Sequence, residues 1–353
     1  MPVRPRHCIG RQRALTTPLT MVGKASDAAR SQETTCVRRS PETLAGGVVA
    51  IGRRAARASR HRKGWWSAVA AAAALSACGA SETGPPATPL DDFGRPIAFA
   101  HAPARIVSLN PTTTELLFAI GAGDRVVGRS RWDMWPDSAR LVPALGDALR
   151  PSVEALLAAR PDLVLLYASA DNRPAADRLE AAGIATIGLK IDRIEHFARA
   201  TRLLGALTGD SLRARTVVDT VLATLDRVRS RTAGLEHPRV FWHIWDSPLI
   251  TIGSGSFLNE LIEIAGGTNI YADFGEVSPA ISLEDVARRN PDWILAGPDG
   301  AATIRMGAAW QAVPAVAGGR VLVVDTLLVA RPSVKLGEAA VSLARLLHPE
   351  IRW

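Results

Sequence analysis

The sequence predicts an α/β protein with two similar lobes that have central parallel sheets and are joined by a single long helix. From Arg105 onward, short apolar runs alternate with helical patterns, an order typical of α/β units around parallel sheets. Two short motifs recur in the same order in both halves of the chain. Between the halves, one stretch has the apolar spacing of a long helix. These three observations together predict the two-lobed architecture.

The predicted strands are short apolar runs, and the predicted helices lie between them. An uninterrupted apolar run such as residues 163–166 suits a strand that helices cover on both faces. The predicted strands cover residues 105–109, 162–167, 185–189, 239–245, 292–296 and 320–324. The predicted helices cover residues 113–120, 152–159, 174–182, 257–265, 283–288 and 334–347.

The repeated motifs keep their internal spacing in both halves. The first motif is Ser-x-Glu followed by Pro-Asp and an apolar residue, and it begins at Ser152 and again at Ser282. The second is Glu-Leu followed by an apolar residue and, further on, a glycine, and it begins at Glu115 and again at Glu260. A single repeat of this length predicts two similar lobes and not a solenoid.

The stretch from about Asp210 to Thr232 predicts the helix between the lobes. Its apolar residues fall on one face of a helix, and they are Val218, Val221, Leu222, Leu225 and Val228. Such a helix is roughly 35 Å long at about 1.5 Å per residue, and it would act as a stiff hinge. We therefore assign the N-terminal lobe to residues 104–208, the helix to 209–234 and the C-terminal lobe to 235–353.

The chain begins with a strongly basic leader. Residues 1–63 hold 14 of the 42 Lys and Arg residues and 3 of the 34 Asp and Glu residues, which leaves 28 basic against 31 acidic residues in the remainder. The body therefore offers no concentrated positive charge for nucleic acid. Residues 1–60 are interpreted either as a disordered extension or as part of a gene model that starts upstream of the true initiator.

Residues 61–77 are interpreted as a signal peptide. A basic flank precedes an apolar run from Val69 to Ala77, which is too short for a permanent membrane helix. The run ends in Leu-Ser-Ala before Cys78, which resembles the bacterial lipobox and implies that Cys78 carries a lipid. A soluble signal peptide with an incidental cysteine, or a buried Ala-rich helix, is the alternative. A polar linker follows over residues 78–103.

Cysteine usage agrees with this interpretation. The sequence contains Cys8, Cys36 and Cys78, and the first two lie upstream of the proposed cleavage site. The mature chain would keep one cysteine, which the lipid consumes, so we expect no disulfide bond and no cysteine-based metal site.

From about Ala104 to Leu347 the chain resembles the cobalamin-type periplasmic binding proteins, a class of ABC-transporter receptors that includes haem and ferric-siderophore binders. The resemblance rests on Arg105-Ile-Val-Ser-Leu-Asn-Pro-Thr-Thr-Thr-Glu-Leu116, Val127-Gly128, the two Ser-x-Glu motifs, Gly266-Gly-Thr-Asn269 and Arg331-Pro332. It implies a small-molecule metal chelate in the cleft and a permease dimer as partner. Together with the lipid that the lipobox implies at Cys78, it leads us to expect a monomeric receptor attached to the membrane, at the periplasmic face or the cell surface.

The resemblance also implies site residues. Ligands of open parallel sheets bind at the carboxyl ends of the strands. The predicted ligand-binding residues are Asn110, Pro111, Thr112, Trp132, Tyr167, Trp245 and Arg331. One surface glutamate per lobe, Glu154 and Glu284, is implied to dock on arginines of the transporter; the alternative is that each only complements its helix dipole. No cofactor is expected beyond the bound ligand.

The chemistry of the predicted cleft favours a large, flat, partly apolar ligand. Tryptophans are numerous, with 9 against 2 Tyr, and rigid aromatic faces suit a corrin, a porphyrin or a catechol chelate. Trp132 and Trp135 are expected to be exposed at the cleft, whereas Trp293 and Trp310 are expected in the core. His243 is expected inside a strand, where it is either an ordinary buried residue or an axial metal ligand.

The function expected is that of a lipid-anchored component of an ABC importer that binds a corrinoid (cobalamin). A haem or ferric-siderophore receptor of the same class is the alternative, because aromatic residues of some cobalamin receptors are missing near Asp147 and Val277. An exported enzyme is disfavoured, since the chain lacks His-Glu-x-x-His, a phosphate loop and Gly-x-Ser-x-Gly. A scaffold lipoprotein would not explain two repeated lobes.

Overall fold

A computed structural model describes residues 89–352 of the chain. The predictions for residues 1–60, for the signal peptide at 61–77, for Cys78 and for the start of the polar linker lie outside the described residues. Within the described residues, the prediction of an α/β fold with two parallel sheets is confirmed.

Two parallel sheets of four strands each carry the architecture. In chain order the strands are β1 (Ile106–Ser108), β2 (Val126–Arg129), β3 (Leu163–Tyr167), β4 (Ala185–Leu189), β5 (Arg239–Trp242), β6 (Trp245–Asp246), β7 (Leu249–Ile250), β8 (Thr268–Asn269), β9 (Trp293–Ala296) and β10 (Val321–Val323). The N-terminal sheet has the order β2-β1-β3-β4 and the C-terminal sheet the order β10-β9-β5-β8. Strands β6 and β7 form a separate antiparallel hairpin.

The helices lie between the strands, and several begin with a side-chain cap. They are α1 (Pro111–Ala119), α2 (Val153–Ala158), α3 (Arg173–Ala181), α4 (Ile194–Thr208), α5 (Ser211–Thr232), α6 (Phe257–Ile264), α7 (Leu283–Arg289), α8 (Pro298–Met306), α9 (Pro314–Ala317), α10 (Thr326–Val329) and α11 (Leu336–Leu347). The hydroxyls of Ser152 and Ser282 accept from the backbone N–H groups of Ala155 and Asp285, so the two Ser-x-Glu motifs form equivalent helix starts.

Each sheet is covered by helices on both faces, which explains the continuous apolar runs of its central strands. One face of the N-terminal sheet, including Val164 and Leu166, packs against residues of α2 and α3. The corresponding face of the C-terminal sheet packs against α7 and α8. The opposite faces of both sheets belong to one shared apolar cluster with α1, α4, α5, α6 and α11. Side chains therefore alternate along β3 and β9 between two buried layers.

Helix α5 connects the two halves, as the sequence predicted. Its 22 residues bury Val218, Val221, Leu225 and Val228 along one face, and Leu222 is partly buried beside them. The helix packs against α4 and against α11, so both halves hold it along its length. It is therefore part of the shared apolar layer as well as a connection between the halves.

The predicted strand over residues 239–245 is too long. The chain leaves the C-terminal sheet after Trp242, although the N–H of His243 still donates to the carbonyl of Leu295 at 2.8 Å. One residue later the N–H of Ile244 donates to the carbonyl of Ile250 at 3.0 Å, so the β6–β7 hairpin takes over the pairing. His243 therefore does not lie within a strand, and the expectation that it does is wrong.

Candidate ligand-binding cleft

A cavity of about 590 Å³ opens between the two halves at the carboxyl ends of the parallel strands. This is the edge at which open α/β sheets bind their ligands. The N-terminal half contributes residues at or just after the ends of β1, β2, β3 and β4, among them Asn110, Trp132, Tyr167 and Asp192. The C-terminal half contributes the segments that follow β5, α10 and the β6–β7 hairpin, so both halves form the walls.

Six of the seven predicted ligand-binding residues line this cavity: Asn110, Pro111, Thr112, Trp132, Tyr167 and Arg331. Trp245 lines a neighbouring cavity of about 440 Å³ in the C-terminal half. The two cavities share Ile244, Leu258 and Ala330, so they adjoin. The contact that each residue makes with a bound ligand stays a prediction.

The start of α1 forms the floor of the cavity and is held by a buried polar network. The side chain of Asn110 caps the helix by accepting from the N–H of Thr112 at 3.0 Å. The hydroxyl of Thr114 donates to Asp133 at 2.5 Å, and the hydroxyl of Ser130 donates to the same carboxylate. Asp133 is buried, and desolvation raises its pKa although these hydrogen bonds oppose the change. The network ties the loop that carries Trp132 to α1.

Trp132 presents an exposed ring in a fixed orientation. Its side chain is 57% exposed, and its indole N–H donates to Asp147 at 3.3 Å. Asp147 also accepts from the N–H of Leu149, which is the main reason that its pKa lies below the usual range. Trp135, in contrast, does not line either cavity; the ammonium group of Lys335 lies 4.6 Å from the centre of its ring. The expectation of a cleft position for Trp135 is wrong.

Tyr167 ends β3 and points its hydroxyl at a carboxylate of the same half. The hydroxyl donates to Asp192 at 2.9 Å, and the ammonium of Lys190 lies 3.6 Å from the same carboxyl group. Burial, with the negative charge of Asp192 beside it, raises the pKa of Tyr167. The phenol therefore stays protonated at physiological pH, and its ring faces the cavity.

Arg331 lines the cavity from the C-terminal half and pairs with a glutamate of the N-terminal half. Its Nε lies 3.4 Å from Oε1 of Glu115, whose side chain is 3% exposed. Burial raises the pKa of Glu115, although Ser333, Arg331 and Lys335 oppose this change. Sequence reasoning missed this partner. The repeated Glu-Leu motif was the available signal, because it singles out Glu115 and Glu260.

Glu260, at the second copy of that motif, also pairs across the halves. Its carboxylate accepts from the guanidinium of Arg193 and, at 2.9 Å, from the N–H of Ile194 at the start of α4. Arg193 in addition donates to the carbonyl of Ser254 at 3.1 Å. Each repeated glutamate therefore forms an ion pair with an arginine of the other half: Glu115 of the N-terminal half with Arg331, and Glu260 of the C-terminal half with Arg193. Of the two arginines, Arg331 lines the cavity and Arg193 does not.

The second cavity contains His243 and Trp245. The imidazole of His243 is buried, and its Nε2 lies 2.9 Å from Oδ1 of Asp246. Its ring also packs edge-on against the buried Trp310. Trp245 is 62% exposed at the rim. Within residues 89–352, no group of three or more His, Cys, Asp or Glu side chains is placed to hold a metal ion.

Large apolar side chains remain exposed around the cleft. Soluble proteins cover most such surface, and a contiguous exposed patch marks a binding site. The side chains concerned line the first cavity, and each is more than a third exposed: Trp132, Met134, Ile244, Val277 and Leu327. The cleft therefore suits a ligand with extended apolar faces.

Glu154 and Glu284 occupy matching exposed positions near the starts of α2 and α7. Backbone hydrogen bonding at the start of its helix, followed by the hydroxyl of its capping serine, lowers the pKa of each. Both glutamates are therefore charged at neutral pH and face solvent. No helix among residues 89–352 is long and apolar enough to cross a membrane.

Known proteins are similar to this chain in sequence and in fold. A vitamin B12-binding protein of Yersinia pestis is 30% identical over 196 residues, which are 56% of this chain and 70% of the relative. A periplasmic vitamin B12-binding protein of Vibrio cholerae has a TM-score of 0.63 at 23% identity, over 70% of this chain and 98% of that structure. A periplasmic haem-binding protein of Pseudomonas aeruginosa has a TM-score of 0.64 at 22% identity, over 71% and 94%. Both structures support the shared fold.

The family model described as periplasmic binding protein matches residues 106–326, more than half of the chain. The match covers every strand of both parallel sheets and ends at the start of α10, before α11. The chain therefore belongs to the periplasmic binding protein family and, as its motifs predicted, to the cobalamin-type class.

Proposed function

We propose that the protein is the lipid-anchored substrate-binding component of an ABC importer, and that it binds a corrinoid between its halves and delivers it to the permease. The observation that carries this proposal is the cleft, which exposed apolar side chains from both halves line together. A corrin ring has two broad, largely apolar faces and a polar edge, which matches these walls and Arg331. The curated relative named for vitamin B12 binding supports the same ligand.

Haem and ferric siderophores are the alternative ligands. The haem-binding structure of Pseudomonas aeruginosa shares the fold at 22% identity, which leaves the ligand open. The relatives are named as binding proteins, and we propose binding without turnover. We further propose a monomeric receptor on the periplasmic face of a membrane or at the cell surface.

A ligand panel tests the proposal. The full chain is purified in detergent and titrated with cyanocobalamin, haem and a ferric catecholate, while tryptophan fluorescence and the thermal midpoint are recorded. A corrinoid should quench Trp132 and Trp245, and a ligand at 100 times its Kd should stabilise the fold by about 2.7 kcal/mol. Chromatography of the recovered ligand should show it unaltered. Quenching by none of the three ligands would remove the chelate-binding proposal, and quenching by haem alone would replace the corrinoid.

Lipid anchoring is tested separately at Cys78. The wild-type chain, grown with an alkyne-tagged fatty acid, should carry the tag and sediment with membranes. The substitution Cys78→Ser should abolish both properties, because the thiol is the proposed acceptor of the lipid. Labelling that persists in Cys78→Ser would contradict the anchor, whatever the ligand proves to be.

Delivery to a permease is proposed to use Glu154 and Glu284. One exposed carboxylate lies in each half at a repeated position, an arrangement that suits a two-fold symmetric partner. Charge-assisted bonds to arginines would orient the receptor and speed its encounter with the transporter.

A further inference from the structure

Four side chains with a full charge line the two cavities; two of them are paired with an opposite full charge, and the other two are negative. Among the residues that line the two cavities, the side chains that carry a full charge are Asp192, Asp246, Asp299 and Arg331. Asp192 has Lys190 beside it at 3.6 Å, and Arg331 has Glu115 at 3.4 Å. Among residues 89–352, Asp246 pairs only with the imidazole of His243, at 2.9 Å. An incoming anion would therefore meet no unpaired cation on these walls.

Glu115 is the carboxylate that pairs with Arg331 at the cleft. It lies on α1, is 3% exposed and reaches the guanidinium from the opposite half. Two further charges act on Glu115: Asp133, which is buried, and Lys335, whose ammonium lies 4.6 Å from the ring centre of Trp135. Because the Glu115 carboxylate is desolvated, its field on Arg331 is weakly screened.

We propose that Glu115 is a specificity-determining residue, which neutralises and positions Arg331 so that the cleft accepts ligands without net negative charge. The inference rests on the proposed function and deepens it, because it distinguishes amide-edged macrocycles from those with free carboxylates. The guanidinium can still donate to an amide oxygen, since a paired Arg keeps further N–H groups free for other acceptors. A ligand carboxylate would instead compete with Glu115 for the same cation.

The test compares two ligands that differ by one charge. Cyanocobalamin carries amides at its edge, and its monocarboxylic acid derivative has one amide hydrolysed to a carboxylate. The full wild-type chain should bind the monocarboxylate at least about tenfold more weakly, a difference of about 1.4 kcal/mol. In Glu115→Gln the ratio should fall to about threefold or less, mainly because the monocarboxylate binds more tightly. Glu115→Asp, which keeps the charge, should retain most of the wild-type discrimination.

Glu260→Gln is the matched control. It removes the other glutamate that pairs across the halves, but its partner Arg193 does not line the cavity. A purely structural effect of losing such a pair would appear in both variants, whereas the proposal requires the affinity ratio to change in Glu115→Gln and to stay constant in Glu260→Gln. Equal affinities for the two corrinoids in the wild type, or an unchanged ratio in Glu115→Gln, would overturn the proposal.

A second variant and a second pair of ligands test the proposal if the first ones fail. Should Glu115→Gln fail to fold, Asp299→Asn takes its place, because it removes an exposed carboxylate of the second cavity. It should reduce the ratio of the affinities for cyanocobalamin and the monocarboxylate by about twofold. An unchanged affinity ratio would count against the proposal. Should the wild type bind no corrinoid, the corrinoid part of the proposed function fails on its own. The charge preference is then decided with haem and its dimethyl ester, of which the ester should bind more tightly.

Discussion

Replacement of Trp132 by alanine should weaken ligand binding while leaving the fold intact. The ring lines the cavity, is 57% exposed and is already oriented by its hydrogen bond to Asp147. Its loop is anchored through Asp133 and α1, and these contacts do not involve the indole. The substitution therefore removes a preformed contact surface and little internal packing.

The expected loss follows from the area that a ligand can cover. An aromatic side chain of up to about 250 Å² that is 57% exposed offers at most about 140 Å² to a ligand. At about 25 cal/mol per Å², full coverage would contribute about 3.5 kcal/mol. A ligand that covers half of this area would lose about 1.8 kcal/mol, which is a factor of about 20 in Kd.

Isothermal titration of the full chain measures this loss directly. Leu141→Ala is the control, because Leu141 is 87% exposed near the same loop and lines neither cavity. We expect Trp132→Ala to raise Kd by about 20-fold at an unchanged thermal midpoint, and Leu141→Ala to change neither quantity. A Kd within twofold of the wild type for Trp132→Ala would show that the ring does not contact the ligand, and the assignment of this cavity would then be wrong.

Three further predictions concern the pairs between the halves, docking and helix packing. Burial raises the pKa of Glu115 above the value of about 4.3 that a glutamate has in the unfolded chain. The folded state therefore binds the carboxyl proton of Glu115 more tightly than the unfolded state does. This contribution to the free energy of unfolding is complete below about pH 4.3 and is lost as the pH rises through the folded-state pKa of Glu115. Urea unfolding at several pH values should therefore show a shallower fall of this free energy with rising pH for Glu115→Gln than for the wild type. An identical pH dependence in the two proteins would contradict a raised pKa. Charge reversal of Glu154 and Glu284 to Arg should spare ligand affinity but lower uptake in cells, and unchanged uptake would reject docking. Gly205→Ala should destabilise the fold: its Cβ would lie 2.3 Å from that of Ala214, and overpacking of about 1–3 kcal/mol outweighs a helix-propensity gain of about 1 kcal/mol. Gly234→Ala is the control, because the added Cβ would point into open space. Thermal unfolding compares the two variants, and equal midpoints for Gly205→Ala and Gly234→Ala would refute the packing argument.

Much of the fold could be predicted because its central strands are buried on both faces. Residues 163–166 in β3 are all fully buried, and such a run has no other stable place than between two helical layers. Of the four edge strands, β4 and β10 were predicted and the other two were missed: β2 alternates between buried and partly exposed residues, and β8 has two residues only. Helix α4 was missed as well, although it buries eight of its 15 residues against the shared layer.

Six of the seven predicted site residues line one cavity because strand ends meet at one edge of a sheet. Asn110 follows β1 and Tyr167 ends β3, and these neighbouring strands bring both residues to one cavity. The hairpin after β5 was not predicted, because the polar and apolar side chains from Trp242 to Ile244 alternate as they do in a strand. That hairpin places Trp245 in the adjoining cavity and buries His243 against Asp246.

The sequence by itself determined the α/β class, the repeat and the family, because apolar periodicity and short motifs act locally along the chain. Only the tertiary structure decided which distant charges meet. Glu115 and Arg331 lie in different halves, and their pairing depends on how α1 and the segment after α10 approach one another across the cleft. Ion pairing depends on distances of a few ångströms, and no spacing in the sequence encodes such a distance between separate lobes.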